Sequence, residues 1–279
     1  MELYSYACYK ASEVVTKIYS TSFSLGIRAF APEFRDPIYA VYGYVRFADE
    51  IVDSFHQFDK KTLLQRFRNE TFVAIEEGIS LNPIIQSFAE VVNKYNISHS
   101  HITAFLDSME MDLYNSSYDP ATYDKYIFGS AEVVGLMCLR VFVNGDDKSY
   151  FSLEDAARAL GSAFQKVNFL RDIKSDLEER GRIYLPGIDK HVEINDGNKK
   201  LLEETIESEF DKSLEGIKRL PDGVRLGVYS AYMYYYRLFT TIKSKKVSVL
   251  LTKRVRVSNV KKLVLLLKSI IDVKILKTC

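Results

Sequence analysis

The sequence predicts an all-α protein, a single multi-helix bundle over residues 1–279. Three observations carry that expectation. Apolar residues recur at helical spacing along most of the chain. Chain breakers are scarce: Gly is 13 and Pro 6, about half the usual usage. Strict period-2 alternation is nearly absent outside Arg254-Val255-Arg256-Val257. The pattern places helices over 3–19, 36–55, 60–77, 82–95, 99–116, 120–144, 152–180, 197–219, 222–246 and 259–276.

Local signals set the starts. Asp36-Pro37 reads as an N-cap with Pro at the first helical position, where a missing N–H costs little. Asn82-Pro83 and Asp119-Pro120 repeat that signal, and Ser152-Leu-Glu-Asp155 resembles a capping box. Short polar joints such as NGDDKS (144–149) connect the helices, as in a bundle. Tyr is 19, Phe 17 and Trp 0, and most of these rings belong in the core. Cys138 lies in an apolar helix and should act as a small hydrophobe. His99-Ser-His101 lacks a third ligand and is expected in a surface loop, not at a metal.

With 47% hydrophobic and 27% charged residues, the chain is neither disordered nor low-complexity. Its 3 Cys (Cys8, Cys138, Cys279) show no paired spacing. That fits a reducing, cytoplasmic setting and excludes a disulfide framework. The opening MELYSYACYKASEVV has no basic stretch leading into an apolar run, so no signal peptide is expected. No run reaches the ~18 uncharged apolar residues of a spanning helix. The longest candidate, near 263–276, is broken by Lys268, Asp272 and Lys274. A net charge of +1 hides an asymmetry: from residue 243 onward there are 11 basic residues and 1 acidic one. The basic, apolar stretch 259–276 fits either a helix docked on the bundle or peripheral contact with an anionic membrane. No nucleic-acid partner is expected.

The carboxylates are the informative groups. Asp49 and Asp53 stand at i, i+4, so on a helix they share a face one turn apart. Arg46 and Tyr42 fall on that same face. Like charges at this spacing destabilise a helix mildly, and a hard divalent cation would compensate. In Gln165-Lys-Val-Asn168-Phe-Leu-Arg171-Asp172-Ile-Lys-Ser-Asp176, oxygen side chains recur every four residues among apolar neighbours. Gln165 precedes them by one turn, and Arg171 lies one step off the row. Unpaired buried carboxylates cost several kcal/mol each. Two such rows facing across a bundle interior could hold Mg²⁺ with a phosphorylated ligand, which Arg would clamp. Asp107 and Asp112 are expected as structural partners for arginines.

At this point the chain resembles the squalene/phytoene synthase family. ADEIVD (48–53) and NFLRDIKSDLEERGRIYLP (168–186) are similar to its two aspartate-rich regions. Tyr19-Ser-Thr-Ser22-Phe23 resembles its Ser-Phe substrate segment, and FLDSMEMDL (105–113) and YIFGSAEVVGLM (126–137) its middle motifs. RLGVYSAYMYYYRLF (225–239) and RVRVSNVKKL (254–263) resemble the C-terminal region of the phytoene synthase branch. Glu132 departs from the pattern, since relatives often carry Gly or another small residue there. Facing the channel, it would add a charge to an apolar wall.

The resemblance implies an isoprenoid synthase fold with a central apolar channel. It implies head-to-head condensation of two geranylgeranyl diphosphates, through prephytoene diphosphate, to phytoene in carotenoid biosynthesis. Mg²⁺ (or Mn²⁺) is implied, without NADPH, and hand-over of the product to a carotenoid desaturase. Asp49 and Asp53 match the first metal motif; Asn168, Asp172 and Asp176 match the second. Arg46, Arg171 and Gln165 match diphosphate or substrate contacts, and Tyr19, Ser20, Thr21, Ser22, Tyr42 and Tyr235 match further substrate-binding positions. The four Asp with Arg46 and Arg171 form the expected catalytic set. The nearest alternative is a C30 enzyme making dehydrosqualene or squalene from farnesyl diphosphate. A non-catalytic binding or assembly factor of the same family is the alternative of another class. A head-to-tail enzyme would show Asp-Asp-x-x-Asp, which is missing here.

Overall fold

Every regular element is a helix among the residues described by the structure, a computed structural model covering 1–115, 117–185, 194–276 and 279 without the side chains of Ser22 and Arg180. The helices are α1 (Glu2–Tyr19), α2 (Thr21–Arg28), α3 (Pro32–Asp53), α4 (Lys60–Glu77), α5 (Pro83–Tyr95), α6 (His99–Tyr114) and α7 (Pro120–Ile127). They continue with α8 (Val133–Phe142), α9 (Asp147–Ser175), α10 (Asp196–Lys218), α11 (Asp222–Lys243), α12 (Val247–Leu250) and α13 (Asn259–Ile270). Three π-helical turns, Phe128–Glu132, Asp176–Arg180 and Ile271–Leu276, extend α7, α9 and α13.

Two expected start signals operate. Asn82 accepts from the Ile84 and Ile85 amides with Pro83 behind it, and Asp119 accepts from Thr122 N ahead of α7. Two others do not. The third helix starts at Pro32, so Pro37 lies inside it and is buried. Pro32 supplies the same pre-set backbone four residues before Asp36. The capping box at Ser152 is displaced because Asp146 caps α9 earlier, accepting from Ser149 N at 2.7 Å. Ser152 sits within α9, its hydroxyl donating to the Ser149 carbonyl. Helix α2 was not expected; Ser20 caps it by accepting from Phe23 N at 3.2 Å. The run expected as one helix over 120–144 is interrupted by a π turn. His99 and His101 lie in the first turn of α6, not in a loop.

The 29-residue α9 is the central element, packed against α8, α10, α11 and α12. On one flank α3 packs against α1, α5, α6 and α8; on the other α11 packs against α2, α10 and α13. Small residues let α9 approach the π turn after α7. A Cβ on Gly161 would lie 2.5 Å from the Ala131 carbonyl oxygen. The main core includes Tyr44, whose ring stacks 3.8 Å from Phe88. A second cluster of Tyr118, Tyr123, Tyr126, Ile127, Phe169 and Tyr184 sits apart from it. No helix among the described residues is long and apolar enough to cross a membrane.

Candidate active site

Helices α2, α3, α8, α9, α10, α11 and α13 enclose a cavity of about 700 Å³. Apolar side chains such as Ile27, Phe30, Val134, Phe142, Leu153 and Ile217 line part of it. Polar side chains gather on α3 and α9. Asp49, Asp53, Arg46 and Tyr42 line it from α3, and Gln165, Asn168, Arg171 and Asp172 from α9, with Asp176 from the π turn that follows. Tyr19, Ser20, Thr21 and Tyr235 complete the expected set. Thus the two oxygen-bearing rows border one cavity. Ser22 lies outside the described residues as far as its side chain is concerned.

Arg46 pairs with Asp49 and with Glu50, both on its own helix. The Tyr19 ring covers its guanidinium at 4.3 Å, and its Nε is buried with no protein partner. Across the cavity Asp172 is gripped twice. Arg171 Nε donates to Oδ1 at 2.9 Å and Nη2 to Oδ2 at 2.5 Å. Arg254 Nε reaches Oδ1 at 2.6 Å and its Nη2 reaches Oδ2 at 3.2 Å. Burial alone would raise the Asp172 carboxyl, but these two guanidiniums outweigh it and hold the group below the ordinary range. Tyr235 stacks on Phe164 at 3.9 Å and donates to Asn168 Oδ1 at 3.3 Å. Burial raises the Tyr235 and Tyr42 phenols, so both stay protonated donors at neutral pH.

Arg182, Tyr118, Tyr126 and Tyr184 had no assigned role in the sequence. Arg182 donates to Asp53 Oδ1 at 2.8 Å and to the Tyr184 hydroxyl at 3.0 Å. Behind it, the buried Asp112 accepts from the hydroxyls of Tyr118, Tyr126 and Tyr184 at 3.0, 2.8 and 2.8 Å. Asp112 also lies 3.8 Å from Arg182, and Asp107 pairs with Arg68 at 2.8 Å. Both therefore serve arginines, as expected. Glu132 is absent from the cavity lining among the described residues; it accepts from Arg158 Nε at 2.6 Å. Its neighbours Ser130 and Ala131 face the cavity instead, so the apolar wall carries no added charge there. Cys138 also lines the cavity, with its thiol pushed up to about 12 by burial, and remains neutral.

Among the described residues no group of three His, Cys, Asp or Glu side chains is clustered tightly enough to hold a metal ion as it stands. Asp49, Asp53 and Asp172 each face a guanidinium.

Comparison with known proteins adds to this geometry. The squalene/phytoene synthase family profile matches residues 16–261. The chloroplast phytoene synthase of Daucus carota is 30% identical over 269 residues, covering 88% of this chain and 66% of that protein. The chain thus spans about two thirds of the length of that plant relative. The presqualene diphosphate synthase of Zymomonas mobilis is 35% identical over 173 residues, 60% of this chain and 56% of that protein. Among solved structures, a dehydrosqualene synthase in complex with ligand superposes with a TM-score of 0.81 at 20% identity, covering 97% of this chain and 98% of that one. That likeness concerns the fold. With the family profile matching most of its length, this chain belongs to the squalene/phytoene synthase family, the head-to-head prenyltransferases.

Proposed function

We propose that the protein condenses two geranylgeranyl diphosphates head to head to phytoene. The observation that carries this is the convergence of the α3 and α9 oxygen rows, with Arg46, Arg171 and Arg254, on one largely apolar cavity. Phytoene synthases matched over most of the chain support the C20 substrate.

The donor set, four carboxylates and one amide, is oxygen only, as a hard divalent cation requires. Asp49, Asp53, Asn168, Asp172 and Asp176 would hold Mg²⁺ (or Mn²⁺), which supplies Lewis acidity toward the leaving diphosphate. Arg171 and Arg254 exchange Asp172 for phosphate oxygens, a match of planar donors to tetrahedral oxyanion. Arg46 offers its unpartnered Nε to the same anion. Ionisation of the donor leaves an allylic cation, which the acceptor double bond attacks. The tertiary cation so formed loses a proton as the three-membered ring closes to a cyclopropylcarbinyl diphosphate; this releases the second diphosphate, rearranges and loses a second proton to give a hydrocarbon with a central conjugated triene. Apolar walls keep out the water that would quench either cation. The stacked rings of Phe164 and Tyr235 present aromatic faces to positive charge. A carotenoid desaturase is the enzyme class that would consume the product.

A C30 condensation is the second reading, favoured by the 35% identity with a presqualene diphosphate synthase over its shorter match. Incubation with C15 or C20 diphosphate and Mg²⁺, without NADPH, followed by mass spectrometry of the hydrocarbon, separates the two. A C40 hydrocarbon with a central conjugated triene is expected. A C30 product would replace the first reading with the second, and no condensation with either substrate would refute both.

A further inference from the structure

Helix α13 has two faces of different use. Inward, Leu265 and Leu266 line the cavity. Ser269 is fully buried, its hydroxyl donating to the Leu265 carbonyl at 2.8 Å. Outward, Val260, Leu263, Val264, Leu267, Ile271 and Ile275 run along α13 and the π turn after it, each between 45% and 74% exposed. Single exposed apolar side chains are ordinary, but a continuous stripe along one helix marks an interaction surface.

Charge decides what the surface fits. Lys261, Lys268 and Lys274 are exposed beside the stripe. The single acidic residue after position 243, Asp272, is turned inward and accepts from the Tyr229 hydroxyl at 3.0 Å. The exposed face is therefore apolar with uncompensated cations at its edges. A second copy of the chain is a poor occupant, because a twofold contact would set lysines against lysines with no acid to answer them. No described helix is long and apolar enough to cross a bilayer, so an in-plane arrangement remains.

We propose that the outer face of α13 and its π turn lies on an anionic lipid bilayer. One wall of the cavity is then the same helix that rests on lipid, and Leu265 and Leu266 stand one helix thickness from the acyl region. An apolar product can pass beside this helix without crossing bulk water.

Co-sedimentation of the full chain with vesicles tests this without substrate, so it stands or falls apart from the condensation chemistry. Binding is expected to phosphatidylcholine vesicles containing about one third phosphatidylserine, and to weaken as salt rises. Lys261→Gln with Lys268→Gln should weaken binding roughly 25-fold, about fivefold per lysine. Val264→Ser, Leu267→Ser and Ile271→Ser together should reduce binding to background while circular dichroism stays unchanged, since all three are exposed. The proposal is overturned if the parent chain ignores anionic vesicles, or if the triple serine variant binds as the parent does. It is equally overturned if the parent is a dimer in lipid-free solution and the serine variant a monomer.

Discussion

Replacing Asp172 by Asn probes the cavity carboxylate that two guanidiniums grip. The Arg171–Asp172 pair is well shielded, with side-chain exposures of 18% and 16%, and bidentate. Charge-assisted bonds in such a setting contribute about 2 kcal/mol. Arg254 is 49% exposed, so its share is about 0.5–1 kcal/mol after solvent screening. The Asn amide oxygen still accepts one bond and returns about 1 kcal/mol. The net loss is about 2 kcal/mol, which lowers Tm by roughly 5 °C for a chain of this size. The pH dependence has a definite sign. The folded Asp172 pKa is depressed, so its contribution is present above the unfolded carboxylate pKa and lost as pH falls through the folded value. The gap between parent and variant should therefore be full at pH 7 and close below about pH 4. Thermal melts from pH 7 to pH 3, with Arg254→Gln and the double variant completing a cycle, measure each share. Equal stability of parent and Asp172→Asn at pH 7 would show that repulsion among the cavity carboxylates cancels the arginine pairing, and would refute this account.

Asp53→Asn and Asp49→Asn should each lower turnover by at least about 100-fold with an unchanged circular dichroism spectrum, the size expected when charge stabilisation of a leaving group is lost; near-normal turnover of either removes its metal-side role. Tyr235→Phe keeps the ring stack on Phe164 but deletes the donor to Asn168, so turnover should fall about tenfold while stability shifts by less than about 1 kcal/mol. Gly161→Ala drives a methyl toward the Ala131 carbonyl oxygen, 2.5 Å away, and should cost about 2–3 kcal/mol in denaturant unfolding. A neutral effect there would mean that α9 and the π turn separate easily.

Helix pattern and the main cavity residues were legible because both are short-range. Amphipathic spacing and Asn82 or Asp119 caps act within one turn, and Asp49, Asp53, Asn168, Asp172 and Asp176 repeat at helical spacing. What stayed hidden depends on distant contacts. The Asp112 hub joins residues 112, 118, 126 and 184 across three connections, and nothing near Asp112 in sequence announces Tyr184. Arg254 meets Asp172 from 82 positions away. A faint signal existed, for in Arg254-Val255-Arg256-Val257 the two valines are buried, which turns the arginines the other way. The π turns answer to packing, as at Gly129, where a Cβ would lie 2.4 Å from the Ala104 carbonyl oxygen. Helix α2 was missed because eight residues after a Ser-Thr stretch leave little period to read.

The guanidinium grip on the cavity carboxylates has an electrostatic consequence. Among the described residues that line the cavity, Arg46, Arg171, Arg182, Arg254 and Lys262 stand against Asp49, Asp53, Asp112, Asp172 and Asp176, five formal charges of each sign. Such an assembly projects little field into solvent and steers a distant anion weakly. Capture of a diphosphate becomes a local exchange of partners, governed by contact geometry, and its rate should depend only shallowly on ionic strength.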